Sequence, residues 1–186
     1  VQYNSEADRA YEKELRKEKE YLIENQGQIY DRLKEYLQQQ DWKKADYETA
    51  FIMYQWMVME NYDNFFELFR QVSLDVINEI DRLWMQYSNQ KFGIKGQAKI
   101  YRDLGGTESY NGEVWDRFGD RVGWKQGEQW LELDEVAYRT TETHNYHLPV
   151  LTYCRGFRWR NLDSVRHLVS AVLWSLLSRR DLREWI

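Results

Sequence analysis

His144 and His147 stand in H-x-x-H spacing, with Cys154 downstream. A catalytic zinc takes three protein ligands and a structural zinc four, at recognisable intervals. Two histidines and a distant cysteine fall short of both, so no resident metal is expected. His167 has apolar neighbours and reads as a packed or surface histidine. Asp41, Asp46, Glu48, Asp75, Glu79 and Asp81 fall at helix starts and on helix faces. That placement suits caps and face charges better than paired acid–base carboxylates. There is no G-x-S-x-G, phosphate loop, H-E-x-x-H or dinucleotide fingerprint. No catalytic set is visible, and the chain is not expected to be an enzyme.

Binding chemistry is better represented. The run Arg155-Gly156-Phe157-Arg158-Trp159-Arg160 is basic and aromatic. It suits phosphates and stacked bases, or the carboxylates of a planar ligand, which guanidinium groups pair bidentately, or simply a solvated turn before the last helix. A net charge of -5 puts nucleic acid last among these. Aromatic residues make up 16% of the chain, including nine Trp. Such rings supply flat apolar area with a polar handle, and they either line a small-molecule concavity or fill a core. Met53, Met57 and Met59 are likewise ordinary core or the deformable lining of a groove.

The elements that carry these residues are helical. A chain of 186 residues implies one domain with a short appended segment. A single proline suits helices. A single cysteine forbids an internal disulfide and fits a reducing compartment. The polar N-terminus does not read as a signal peptide, and no stretch approaches the roughly 18 apolar residues of a membrane span. Membrane association is expected to be peripheral at most, and the location cytoplasmic, or the chloroplast stroma for a plastid protein.

Ser5 to Asp8 has the form of a capping box. A stripe of Tyr11, Leu15, Leu22, Ile29 and Tyr36 follows, suiting a helical extension over residues 1–32. Asp41 caps a stretch from Trp42 to about Glu60 whose apolar positions are Trp42, Ala45, Thr49, Ile52, Met53, Trp56 and Met57. Ser73 caps Leu74 to about Tyr87, where Ile77, Ile80, Trp84 and Tyr87 recur at helical spacing. Short helices are expected over Lys95–Leu104, ended by Gly105-Gly106, and over Gly112–Arg121, closed by Gly123. Asp163 caps a final helix carrying Val165, Leu168, Val169, Val172, Leu173, Leu176 and Leu177. Trp130 to Leu133 is the best strand candidate, and it is short. Between Gly105 and Gly156 the chain turns glycine-rich and aromatic, a loop segment on a helical scaffold, where binding function concentrates. The fold class is all-α, with residues 33–186 as the main domain.

Several stretches in order resemble a known family. Asp41-Trp42-Lys43-Lys44-Ala45-Asp46-Tyr47-Glu48-Thr49 resembles the D-W-x-x-A-D-x-E-T signature of the genomes uncoupled 4 family. The stretch from Ile80-Asp81 through Leu83-Trp84 and Ser88 to Phe92-Gly93 resembles its second signature, with Gln90 in place of a glycine. Gly105-Gly106, Trp115, Phe118, Val122-Gly123-Trp124-Lys125, Trp130-Leu131 and His147-Leu148-Pro149 follow in the family's order.

The resemblance implies a cupped all-helical domain with an apolar groove for a tetrapyrrole: protoporphyrin IX, magnesium protoporphyrin or a bilin. It also implies a non-catalytic regulator of chlorophyll synthesis or porphyrin-linked signalling, in phototrophic bacteria or chloroplasts. The partners implied are the magnesium chelatase large subunit or fused signalling domains, and no nucleic acid. The alternative is an accessory protein-interaction module of the same fold with a degenerate pocket. By position, Phe92, Trp124 and Trp130 would form the groove wall, with Ile94 where the family has a ring. Met53, Met57, Tyr138, Arg139 and His147 complete the candidates.

Departures cluster at two places. The family's F-G-F-S-V-Q reads Phe92-Gly93-Ile94-Lys95-Gly96-Gln97, so Gly96 replaces a β-branched residue. Its A-P-x-G-H-L-P reads Thr143-His144-Asn145-Tyr146-His147-Leu148-Pro149, so Tyr146 replaces a glycine. Either that loop takes another path or Tyr146 fills space the family leaves open. In both cases His144 and His147 would be candidates for axial ligands of a central metal.

Overall fold

The computed structural model describes residues 24, 28–60, 70, 72–131, 146–151 and 173–183, without the side chains of 54 and 56–60. Five helices follow one another: α1 (Asp31–Gln38), α2 (Trp42–Glu60), α3 (Leu74–Tyr87), α4 (Ile94–Asp103) and α5 (Gly112–Val122). A hairpin of two-residue strands, β1 (Lys125–Gln126) and β2 (Gln129–Trp130), comes next, and a 3-10 turn at Asp181–Arg183 lies near the end. No described helix is long and apolar enough to cross a membrane.

The helix starts have local causes. The Asp41 carboxylate accepts from the Lys44 amide at 3.2 Å and pairs with the Lys44 ammonium at 2.6 Å. Ser73 Oγ accepts from the Asp75 amide, and Asn111 Oδ1 from Glu113 and Val114. Each of these caps satisfies amides that have no partner within the helix. Gly123, left-handed at φ 79, closes α5 as expected.

α4 starts differently, and this corrects the expected start at Lys95. The helix begins at Ile94 because its cap comes from another helix. Asp81 of α3 accepts from the Lys95 amide at 3.0 Å. A Cβ on Gly93 would lie 2.8 Å from Asp81 Oδ1, so glycine lets the carboxylate reach the helix end.

The strand expected at Trp130–Leu133 is also corrected. Only Gln129–Trp130 pairs, with Trp130 opposite Lys125, around a two-residue turn in which Gly127 takes φ 66. Of the expected N-terminal stripe, Ile29 and Tyr36 pack on the core; Ser5, Tyr11, Leu15 and Leu22 lie outside the described residues. Residues 173–177 are helical and bury Leu173, Leu176 and Leu177. Asp163 and the earlier part of that helix lie outside the described residues.

The core runs between the helices. α1 packs on α2 and α3, and α4 on α3 and α5. Leu33, Leu37, Ile52, Met53, Ile77, Ile80, Leu83, Trp84, Tyr101 and Phe118 are its largest fully buried side chains. Each such side chain contributes about 1.5–3 kcal/mol by burial.

Candidate functional site

The segment 146–151, here called the strap, crosses α2, α4 and the turn between α3 and α4, and each of them holds it. The Tyr146 amide donates to Lys91 O at 2.7 Å, and Leu148 O accepts from the Gly93 amide at 3.0 Å. Gln97 Nε2, fully buried on α4, donates to Tyr146 O at 3.0 Å and Pro149 O at 2.9 Å. Asp46 Oδ1, buried on α2, accepts from the Val150 and Leu151 amides at 2.7 and 2.9 Å. The Trp124 indole donates to His147 O at 2.8 Å. The Leu148–Pro149 peptide is cis.

Rings pack beneath and beside the strap. Phe92 meets His147 edge-on at 4.7 Å and Trp42 at 5.2 Å. Trp42 stacks on Trp84, whose indole donates to Thr49 Oγ1 at 2.9 Å. Ser88 Oγ accepts from the Phe92 amide. A second group joins Tyr101, Trp115, Phe118 and Trp124. Trp115 stacks at 6.3 Å on Trp130. The half-buried Trp130 ring lies flat on α5 because Gly119 has no side chain: a Cβ there would stand 2.5 Å from the ring. Its indole reaches Asp116, and the Lys125 ammonium stands 5.7 Å from its centre. Such edge-on and offset rings add about 0.5–1.5 kcal/mol per pair beyond burial.

Of the residues expected in the groove wall, Phe92, Ile94, Trp124 and His147 come together around the strap, and all four are buried. Met53 is fully buried in the core. Trp130 joins through Trp115 and alone among the described candidates is half-exposed. Met57 lies on α2 with its side chain outside the description; Tyr138 and Arg139 lie outside the described residues. So do His144, Cys154 and the Arg155–Arg160 run. Among the described residues, no three of His, Cys, Asp and Glu converge as metal ligands.

Residues that the sequence reading placed as simple caps do more than cap their own helices. Asp46 and Asp81 each reach across to another element, and Gln97 joins α4 to the strap. Burial pushes the Asp81 carboxyl above the usual carboxylate range, against the pull of the Lys95 and Ile94 amides and the Lys95 charge. The folded chain therefore holds this proton to higher pH than the unfolded chain. That contribution to stability is absent above the raised folded value, grows as pH falls through it, and is complete below the unfolded value. Asp81→Asn, which keeps an acceptor oxygen, lacks the gain. Urea denaturation is expected to show the stability difference moving in favour of the wild type on acidification from neutrality. A difference independent of pH would mean the carboxyl is unshifted.

Fold and site together define a helical domain built around a strapped aromatic core. The chain belongs to the GUN4-like family, whose sequence model matches residues 23–166. The ligand-free structure of Arabidopsis thaliana GUN4 shares its fold, with a TM-score of 0.59 and 23% identity over 83% of this chain and 97% of that one. No curated protein matches the chain.

Proposed function

We propose that the chain is a non-catalytic tetrapyrrole-binding regulator, taking a protoporphyrin, magnesium protoporphyrin or bilin. The observation that carries this reading is the intact frame of the family it belongs to. Asp46, Thr49, Asp81, Trp84, Ser88, Phe92, Gln97 and Trp124 all stand at motif positions, and all make the bonds or ring contacts that join α2, α3, α4 and the strap. Such a frame supports a flat apolar ligand beside the half-exposed Trp130. Phe92, Ile94, Trp124, His147 and Met53 back the wall, and Met57, Tyr138 and Arg139 complete it. Arginine at the rim would meet the ligand's carboxylates. The partners in this reading are the magnesium chelatase large subunit or signalling domains of the same protein, in the cytoplasm or stroma.

Deuteroporphyrin titration is expected to shift the Soret band and quench tryptophan fluorescence saturably. The expected Kd is about micromolar, or about -8 kcal/mol. A second reading, an interaction module with a degenerate pocket, is favoured by one feature: the Tyr146 ring lies against Gly96 of α4. Absence of any saturable change up to the solubility limit would select that reading.

A further inference from the structure

Two departures from the family's motifs, Gly96 on α4 and Tyr146 on the strap, meet in space. The Tyr146 ring lies directly over Gly96, so close that a Cβ at Gly96 would overlap its carbons. Tyr146 takes φ 66, a left-handed conformation disfavoured for any residue with a side chain and uncommon for a bulky one. Hydrogen bonds on both sides fix it there: its amide to Lys91 O, and its carbonyl from Gln97 Nε2. The chain has thus kept the backbone conformation that a glycine would favour and added a ring to it. Both residues are half-buried, so the contact lies at the surface rather than in the core. Bulk that a β-branched residue would place on the helix is supplied instead by the strap, and the exchange makes a ring-sized notch on the first turn of α4 and fills it at once.

We propose that this notch is a slot for a flat ring and that Tyr146 is its internal occupant, limiting access of the tetrapyrrole. The inference rests on the reading of the chain as a tetrapyrrole-binding protein. An occupied slot admits ligand only in the fraction of molecules whose ring has left it, and the apparent affinity falls by that fraction. The ring's polar edge and its aromatic face make it a fair mimic of a pyrrole ring, so displacement exchanges one stacked ring for another.

The test has two arms. In the first, Gly96→Val is introduced into the wild type and into Tyr146→Gly, and unfolding is followed by urea and circular dichroism. The overlap predicts a large loss of folded population in the wild-type background and little loss once the ring is gone. Equal losses in both backgrounds would overturn the contact. In the second arm, deuteroporphyrin is titrated into wild type, Tyr146→Gly and Tyr146→Asn. The asparagine variant is included because that residue tolerates left-handed φ if the glycine variant folds poorly. Both are expected to bind about ten-fold more tightly than wild type, corresponding to a slot open in about a tenth of molecules. Equal or weaker binding by the variants overturns the occupant role and leaves the tetrapyrrole reading standing. Absence of binding in all three overturns both.

Discussion

Asp46→Ala is expected to destabilise the domain by about 2–6 kcal/mol, because it leaves two buried amides, Val150 and Leu151, without their acceptor. Each buried donor stranded in this way costs about 1–3 kcal/mol. Measured against the roughly 5–15 kcal/mol that holds a typical domain together, the loss is large. Asp46→Asn keeps a carbonyl oxygen at the same place and is expected to cost much less. Urea denaturation of the two variants separates lost hydrogen bonding from lost charge. If alanine costs no more than asparagine, the carboxylate does not hold the strap.

Trp124→Ala is expected to cost about 3–5 kcal/mol, the range for truncating a large buried ring. The indole is only 4% exposed, edge-packed at 5.3 Å on Phe118. Its N–H also supports the strap through His147 O. Trp124→Phe keeps most of the packing and removes the donor, for about 1 kcal/mol. A ring that faced a ligand would behave differently: the alanine variant would fold normally and lose about five- to thirty-fold in porphyrin affinity, the weight of one stacked ring. Thermal and urea unfolding alongside the titration distinguish the two outcomes.

How far the sequence predicts this structure depends on whether the signal is local. Asp41 and Ser73 mark the starts of α2 and α3 because a cap and its amides lie within three residues. Gly123 marks the end of α5 for the same reason. The start of α4 was not legible, since its cap, Asp81, sits on a different helix and only the fold brings it there. The hairpin carried a signal that alternation alone misses: Gly127 between Gln126 and Glu128 supplies the positive φ of a two-residue turn. The rings were visible in the composition, but which of them are closed into the core depends on partners far along the chain. Tyr146 shows both sides. Its residue type foretold strain in a glycine's place, and φ 66 bears that out. The notch that receives its ring exists only because Gly96, far away in sequence, lacks a side chain.

The bonds from Asp46 to the strap also set an order of assembly. They join residues 104 and 105 positions apart. Closing a flexible loop of ~100 residues costs on the order of 4 kcal/mol in chain entropy. α2 leaves the ribosome long before its partner amides exist, so its carboxylate stays hydrated until residues 150 and 151 arrive. The strap therefore joins late, after α3, α4 and α5 have been synthesised. A ribosome-bound chain stopped before residue 150 carries all five helices without the segment that ties α2 to α4. Completion of the domain is thus coupled to synthesis of the strap rather than to formation of any one helix.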